Sequence, residues 1–348
     1  MASGRSAWHA RPSAAPQAWR TLKQWDQQSN SGMTVNFEVS IIIVNWNARD
    51  ILRDCLSSIA AETPLAHEVI VVDNASSDGS AAMVRSQFPG VRLIANSENR
   101  GFAAANNQGI EIAGGRYILL LNPDTMILDH AIDTMVAWCD GHPDVGCAGC
   151  QVLESETTVQ STCFSDPGPV NLLLIETGLC RLFPNSRFFG RPYYGWWDRS
   201  SERDVDVVSG MFMLMPRPVL ETVGPLDEAF FIYSEEADWC RRIRNAGYRC
   251  VFTPVARILH LEGGGKSAMQ VQSRMYVQLQ KSKLHYVRKH DGLFGYAFTR
   301  FAFSVLMAAR WVVFSALGLI SRNQTHRKRS DLARAGLAFH CAGLVPKA

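Results

Sequence analysis

Apolar and polar positions alternate in blocks along the chain from Val39 onward. Continuous apolar runs of strand length are each followed by a stretch whose apolar residues recur at helical spacing. Strands that alternate with helices at this pace predict an α/β fold with a mainly parallel central sheet and helices on both faces. We expect strands at 39–45, 68–73, 91–95 and 117–121, and helices that begin near residues 50, 80 and 102.

The first 38 residues do not follow this pattern. They are rich in Ala, Ser, Arg and Gln, with no acidic residue before Asp26. Such a start is also typical of a transit peptide, but we interpret residues 1–38 as a disordered extension and exclude them from the fold. The remaining chain is long and apolar enough for a large core, since 47% of all 348 residues are hydrophobic and 19% are charged.

Charge is distributed unevenly, although the total is only +3. Residues 1–280 hold 23 Lys and Arg against 30 Asp and Glu, whereas residues 281–348 hold 12 against 2. The acidic part argues against nucleic acid as a partner. The basic, apolar tail suits an anionic membrane surface.

The tail, residues 268–348, is predicted to be helical. Residues 268–290 are amphipathic, and the apolar segment that follows is long enough over 301–320 to span a bilayer. An arginine near the centre of a span, here Arg310, costs about 2.5–3.5 kcal/mol. We therefore favour helices that lie in the membrane interface with 327–329 on headgroups. A true span and a hairpin packed on the rest of the protein or used as a dimer surface are the alternatives.

Nine scattered cysteines accompany no secretory signal pattern, which indicates reduced thiols in a cytosolic compartment. Cys147 and Cys150 form a CxxC without a second half at metal-binding spacing, so we interpret them as buried strand cysteines.

Polar side chains follow the predicted strands, where ligands of such sheets bind. Asp73 can accept from a ribose hydroxyl or a base N–H, or it can simply cap its own turn. Arg100 beside Gly101 could meet a diphosphate through its guanidinium and backbone N–H groups. Asp124 is a hard oxygen ligand for Mg²⁺ or Mn²⁺, to which Asn122 adds only a neutral oxygen. The four groups are Asn45-Trp46-Asn47, Asp73-Asn74, Asn99-Arg100-Gly101-Phe102 and Asn122-Pro123-Asp124.

These segments, in this order, resemble the inverting glycosyltransferases of family 2, especially their bacterial rhamnosyltransferase-like branch. The resemblance implies a GT-A fold over 39–267, with a nucleotide-binding half at 39–150 and an acceptor half at 151–267. Asn122 stands where the family's DxD motif has its first Asp, which removes one ligand charge. The implied nucleotide-sugar-binding residues are Asn45, Asn47, Asp73, Asn74, Arg100, Gly101, Asn106, Asn122 and Gly210.

The same resemblance supplies the acceptor chemistry. Ser209-Gly210 is similar to the family element that approaches the sugar, and Glu235-Glu236-Ala237-Asp238 is similar to its acidic segment with the general base. Glu236 is our first choice for that base and Glu235 the second. An inverting displacement needs one such carboxylate opposite the leaving diphosphate. Asp238 is expected to pair with Arg241 or Arg242.

Two further segments could contribute to the site. His260, before the glycine-rich 263–265 and Lys266, resembles a family histidine that contacts metal or diphosphate, so His260 and Asp124 are the expected metal ligands. The aromatic cluster 193–197 either stacks on a sugar or is a packed loop.

The expected activity is transfer of a single sugar, rhamnose from dTDP-rhamnose, to a hydroxyl of a cell-surface glycan or polyprenyl-linked intermediate. The expected place is the cytoplasmic face of the inner membrane. Chain synthesis is disfavoured because Arg310-Trp311 lacks the Gln of a QxxRW signature. The alternatives are a metal-dependent sugar nucleotidyltransferase and a non-catalytic nucleotide-sugar-binding scaffold.

Overall fold

The computed structural model describes residues 36–155, 158–260, 272–321 and 324–342. The predicted N-terminal extension, except for 36–38, and the predicted loop from Gly263 to Lys266 lie outside these ranges. The strands are β1 (Val39–Asn45), β2 (His67–Asp73), β3 (Arg92–Ala95), β4 (Tyr117–Leu121), β5 (Thr125–Ile127), β6 (Val145–Leu153), β7 (Cys163–Phe164), β8 (Arg203–Asp204), β9 (Val207–Val208), β10 (Phe212–Pro216) and β11 (Arg249–His260). The helices are α1 (Arg49–Glu62), α2 (Ser80–Gln87), α3 (Phe102–Ile112), α4 (Ala131–Asp140), α5 (Pro169–Thr177), α6 (Leu179–Leu182), α7 (Arg217–Val223), α8 (Glu235–Asn245), α9 (Gln272–Ser321) and α10 (Gln324–Cys341).

A nine-stranded sheet forms the centre of the fold. Its order is β3-β2-β1-β4-β10-β6-β11-β5, and β8 pairs with β11. β1, β2, β3 and β4 are parallel to one another, as the sequence predicted. β10 enters antiparallel between β4 and β6, so the antiparallel pairings belong to the second half of the chain. The α/β fold class is confirmed, and the two predicted halves share one sheet.

The strand β1 shows why both faces of the sheet are covered. Ile41 and Ile43 belong to the core on one face, and Ile42 belongs to the core on the other. This alternation follows from the two-residue period of a strand. On the second face Gly109 of α3 lies so close that an added Cβ would stand 2.5 Å from Cγ2 of Ile42.

All nine cysteines lie in the described residues and are free thiols. Cys147 and Cys150 are buried within β6. They are strand cysteines, as predicted.

The C-terminal helices fold back on one another. α9 changes direction at Gly292, whose φ is 71°. The hydroxyl of Tyr276 in its first half lies 3.0 Å from the sulfur of Met307 in its second half. α10 returns along that second half, where the hydroxyls of Ser315 and Ser330 are 2.8 Å apart.

Two buried carboxylates fasten α9 to the rest of the chain. Glu176 of α5 accepts from Nζ of Lys283 at 2.7 Å and from Nη1 of Arg310 at 2.9 Å. Asp238 of α8 contacts Nζ of Lys289 at 2.7 Å and Nε2 of His290 at 2.8 Å. The hairpin named among the alternatives for the tail is therefore formed, and Arg310 faces a carboxylate of the body.

Candidate active site

Asn45 and Asp73 end the adjacent strands β1 and β2 and are paired in register. Nδ2 of Asn45 donates to Oδ1 of Asp73 at 3.0 Å and to the hydroxyl of Ser76 at 3.1 Å. The Ser76 backbone N–H donates to Oδ2 of Asp73 at 3.1 Å. The Asp73 carboxylate is thus buried and held in one orientation. It also caps its turn, which was the alternative reading of this residue.

Asn47 links the loops that follow the same two strands. It adopts a positive φ of 54°. Its Oδ1 accepts from the backbone N–H of Ser77 at 2.8 Å, and its own N–H donates to the hydroxyl of Ser76 at 2.9 Å. Ser76 contacts both Asn45 and Asn47 and was not among the predicted site residues. Its place in a polar turn after a strand was the only signal for it.

Asn74 shapes the loop that carries Arg100. Its Nδ2 donates to Oδ1 of Asn99 at 2.9 Å and to the carbonyl of Gly101 at 3.1 Å. Its Oδ1 accepts from the Arg100 backbone N–H at 2.9 Å and from Nδ2 of Asn96 at 3.2 Å. The hydrogen-bonding groups of Asn74 are therefore used inside the protein, whereas the Arg100 side chain is exposed.

Gly101 joins this loop to the segment before α8. Its φ is 85°, and an added Cβ would lie 2.3 Å from the carbonyl oxygen of Phe231. That carbonyl accepts from the Phe102 backbone N–H at 2.6 Å. Asn106 is buried and donates to the Phe102 carbonyl at 2.9 Å, which supports the first turn of α3. The contact of Phe231 was not predicted from the sequence, because no local pattern indicates that it meets a loop 130 residues earlier.

Asp124 and His260 meet because β5 and β11 pair antiparallel, with His260 opposite Thr125. Nε2 of His260 lies 3.3 Å from Oδ2 of Asp124, and both side chains are 13% exposed. Asn122 stabilises the turn between β4 and β5, which carries Asp124. Its backbone carbonyl accepts from the Thr125 hydroxyl at 2.7 Å.

Oδ1 of Asp124 is buried and has no hydrogen-bond partner among the described residues. An orphaned carboxylate oxygen beside an imidazole fits a hard cation. Within the same ranges no group of three His, Cys, Asp or Glu side chains could hold a metal. Two protein ligands would leave the other positions to water and phosphate oxygens, as is usual for Mg²⁺ at phosphate-binding sites.

Glu236, in the first turn of α8, lies against Gly210, which precedes β10. The Gly210 N–H donates to Oε1 of Glu236 at 3.3 Å. A Cβ added to Gly210 would stand 3.2 Å from that oxygen and 3.2 Å from Cζ of Phe102. α8 begins directly after Tyr233 and Ser234, whose φ values of 72° and 70° mark a strained entry.

The environments of Glu235 and Glu236 differ. Burial raises the pKa of Glu235 well above its usual range, and the neighbouring Glu236 charge adds to the rise. Burial also raises the pKa of Glu236, but the Gly210 N–H opposes that rise. Glu235 is 2% exposed and Glu236 half-buried. Glu236 is therefore the better placed of the two to exchange a proton with a bound molecule.

Asp238 points to a structural role. Besides Lys289 and His290, it pairs with Nε of Arg242 at 3.0 Å, as one of the two expected pairings. Burial on its own would raise the pKa of Asp238, but hydrogen bonds from His290 and Lys289 outweigh it and lower the pKa to about 2.

The aromatic cluster at 193–197 is packed rather than open. Tyr194 and Trp197 are buried. The guanidinium of Arg203 lies 5.3 Å from the ring of Tyr194 and 5.4 Å from that of Trp197. Trp197 meets the Phe252 ring edge-on at 5.0 Å. These contacts agree with the packed-loop alternative.

The pairing of β4 with β10 connects the two carboxylate groups. The Asn122 N–H donates to the carbonyl of Met211 at 3.2 Å. Gly210, which precedes Met211, holds Glu236. The Asp124 turn and the Glu236 helix start are thus joined through two residues at the same edge of the sheet.

Comparisons with known proteins identify relatives of the chain and of its fold. Residues 40–190 match the family model described as Glycosyl transferase family 2. N-acetylglucosaminyl-diphospho-decaprenol L-rhamnosyltransferase of Mycobacterium tuberculosis is 27% identical over 236 residues, which cover 63% of this chain and 75% of that protein. The low-salt glycan biosynthesis hexosyltransferase Agl10 of Haloferax volcanii is 23% identical over 84% of this chain and 89% of its own.

Among solved structures, GalNAc-T7 with UDP, GalNAc and Mn²⁺ superimposes with a TM-score of 0.50 at 15% identity. The match covers 72% of this chain and 48% of that one. The similarity concerns the fold alone. With the GT-A fold, the ordered strand-end motifs and the family match in place, residues 40–190 form a glycosyl transferase family 2 domain, and the chain is a glycosyltransferase.

Proposed function

We propose that the chain is an inverting, metal-dependent transferase that moves one sugar from a nucleoside diphosphate to an acceptor hydroxyl. The observation that carries this proposal is Glu236, a carboxylate of raised pKa held by the Gly210 N–H next to the Asp124 turn. A direct displacement requires a base for the acceptor hydroxyl and a group that stabilises the leaving diphosphate. Glu236 would supply the first, and a cation bound at Asp124 would supply the second.

The residues of the donor site would have different roles. Asp73 is fixed and buried at the strand end, which suits recognition of the nucleoside. The exposed Arg100 is available to the diphosphate. Asn45, Asn47, Asn74, Gly101 and Asn106 act mainly by shaping the loops, since the hydrogen bonds described above join them to other groups of the protein.

Asp124 and His260 would hold Mg²⁺ or Mn²⁺, and the orphaned Oδ1 of Asp124 fits that role. Asn122 positions the turn and adds no charge. When bound, the ion would neutralise charge on the donor diphosphate and on the leaving nucleotide.

In the transfer step Glu236 takes the proton of the acceptor hydroxyl. The acceptor oxygen forms a bond to the anomeric carbon as the bond from that carbon to the diphosphate oxygen breaks, and the nucleoside diphosphate leaves on the opposite side. One bond forms and one breaks on opposite faces of the sugar, so the anomeric configuration inverts. Glu235, which retains its proton more firmly, is a secondary candidate for the base.

Rhamnose, from dTDP-rhamnose, is the donor sugar that the family branch favours. The mycobacterial relative is named for transfer of L-rhamnose to a decaprenol-linked acceptor. We extend this to a polyprenyl-linked intermediate or a cell-surface glycan as the acceptor here. The C-terminal region would keep the enzyme at the cytoplasmic face of the inner membrane, against anionic lipid.

A donor panel tests this function. The full chain is incubated with dTDP, UDP and GDP sugars and a membrane extract as the acceptor source, and nucleotide release is measured with Mn²⁺, with Mg²⁺ and with chelator. We expect release of one nucleotide that requires both acceptor and metal, and an inverted linkage by NMR of the product. Pyrophosphate exchange would instead indicate a nucleotidyltransferase. Donor binding without release under any condition would indicate a scaffold, and transfer that survives chelator would refute the metal role.

A further inference from the structure

The second half of α9 carries an exposed apolar stripe without a charged residue. Its members recur every three or four positions, which is the spacing of one helix face. Phe294 is 86% exposed, Phe301 71% and Leu319 81%. At about 1.5 Å per residue the stripe runs for roughly 38 Å, well beyond the isolated apolar residues of an ordinary surface. The stripe consists of Phe294, Phe298, Phe301, Val305, Ala309, Val312, Ala316 and Leu319.

The opposite side of this helix is occupied by the protein itself. Phe303 and Met307 are buried, and Arg310 reaches the buried Glu176 of α5. By length and composition Arg274–Ser321 could cross a membrane. A crossing orientation would have to pull Arg310 away from Glu176 and leave a buried carboxylate with one cation fewer. The contacts therefore hold the helix along the body, with the stripe facing outward.

Cations lie beside the C-terminal end of the stripe. The Arg329 guanidinium is 5.5 Å from the centre of the Phe314 ring. Arg327 packs against Gly318, where an added Cβ would meet its Cγ at 3.4 Å. The described part of α10 has four exposed basic residues and one exposed acidic residue; they are Arg327, Lys328, Arg329, Arg334 and Asp331.

We propose that the stripe is a bilayer-docking surface. The second half of α9 lies in the plane of the membrane with the stripe among the outer parts of the acyl chains, and the cations of α10 meet anionic headgroups. Lipid suits this surface better than a second copy of the chain, because a second copy would bring the same cations from these helices. The inference rests on the proposed function only for its purpose, which is delivery of a membrane-bound acceptor to Glu236.

Vesicle binding is the first test. The full chain is sedimented with vesicles of phosphatidylglycerol and phosphatidylcholine, or of phosphatidylcholine alone, without donor or acceptor. We expect binding to the anionic vesicles to fall at least tenfold in the double variant Phe301→Glu, Val305→Glu. Val255→Glu is the matched control, because Val255 is 48% exposed on β11; it should bind as the parent does. Transfer to a short soluble acceptor should be retained in all three, so that failure of the transferase proposal is seen separately.

Depth measurement separates a flat helix from a spanning one. In a Cys341→Ser background, a fluorophore is placed in turn at Phe298→Cys, Val305→Cys, Val312→Cys and Leu319→Cys, and quenching by brominated lipids is recorded. A flat helix gives similar, shallow depths at all four positions. A depth maximum in the middle of the series would establish a span and overturn the proposal. So would absence of vesicle binding by the parent chain, or a lipid-free dimer by sedimentation velocity that the double variant abolishes.

Discussion

Carboxylates occur at two places in this site, and their surroundings differ. Asp124 lies beside His260, with one oxygen buried and lacking a hydrogen-bond partner among the described residues. Glu235 and Glu236 form no ion pair with another described residue, and burial raises the pKa of both. The first arrangement suits a carboxylate that binds a cation. The second suits one that exchanges a proton.

The difference arises from where the chain places each group, since all three side chains carry the same functional group. A strand pairing brings an imidazole to Asp124. A strained helix start places the two glutamates away from any cation among the described residues, and the Gly210 N–H donates to Glu236. Environment thus assigns different chemical tasks to like side chains.

The largest effect is expected for Glu236→Gln. The amide cannot accept the acceptor proton, and general-base catalysis typically contributes about 10²–10⁴-fold. We expect kcat for transfer to fall in that range while donor affinity, measured by calorimetry, is unchanged. Glu235→Gln is the matched control and should lose far less. A larger loss in Glu235→Gln than in Glu236→Gln would exchange the roles of the two residues.

Asp124→Asn should affect the donor side instead. It replaces an anionic ligand by a neutral one of the same size, so we expect a metal titration of the rate to shift to at least about tenfold higher Mn²⁺, in line with loss of a ligand charge. The Glu236→Gln variant should show no shift in Mn²⁺ binding. If Asp124→Asn and the parent require the same Mn²⁺ concentration, Asp124 does not bind the metal.

Gly210→Ala probes the junction between the two carboxylate groups. The added methyl would contact Oε1 of Glu236 and the Phe102 ring at 3.2 Å, so the base has to move by a few tenths of an ångström. Because small misplacements of reacting groups are costly, we expect kcat to fall about tenfold with little change in donor KM. A rise in donor KM at constant kcat would show that Gly210 contacts the sugar and not the base.

The pH dependence of rate and stability should separate the two glutamates. Since the base must be ionised, kcat/KM should rise with pH through a pKa above the usual glutamate range. For Glu235 the folded state keeps its proton to higher pH than the unfolded state, so its contribution to stability falls as pH rises between those two pKa values. Glu235→Gln should abolish that fall, worth about 1.4 kcal/mol for each unit of pKa shift. Thermal melts from pH 4 to 8 measure it.

The local pattern predicted what depends on neighbouring residues. The β1, β2 and β4 runs and the α3 helix lie where hydrophobic spacing placed them. The insertion of β10 between β4 and β6 could not be predicted in this way, since it joins residues about 95 positions apart that carry no matching local signal.

The candidate site shows the same limit. Strand ends identified Asp73, Arg100 and Asp124, and the order of motifs identified Glu236. The internal use of Asn74 and the Phe231 contact became visible only in the folded chain. Glu176 and Arg310 are lone charges in apolar helical segments, 134 residues apart. An isolated charge in each of these two apolar segments was the only sequence signal that they form a pair.

The ion pairs of Asp238 and Glu176 have a practical consequence for the design of a less apolar form of this enzyme. Cutting the chain before α9 would remove Lys289 and His290 from Asp238, and Lys283 and Arg310 from Glu176. The shortened protein would lose both of these cations at Glu176 and would keep Arg242 beside Asp238, which lies two residues from the proposed base Glu236. Polar replacements along the exposed stripe keep both clusters intact. They reduce the exposed apolar surface of the enzyme without removing a cation from either carboxylate.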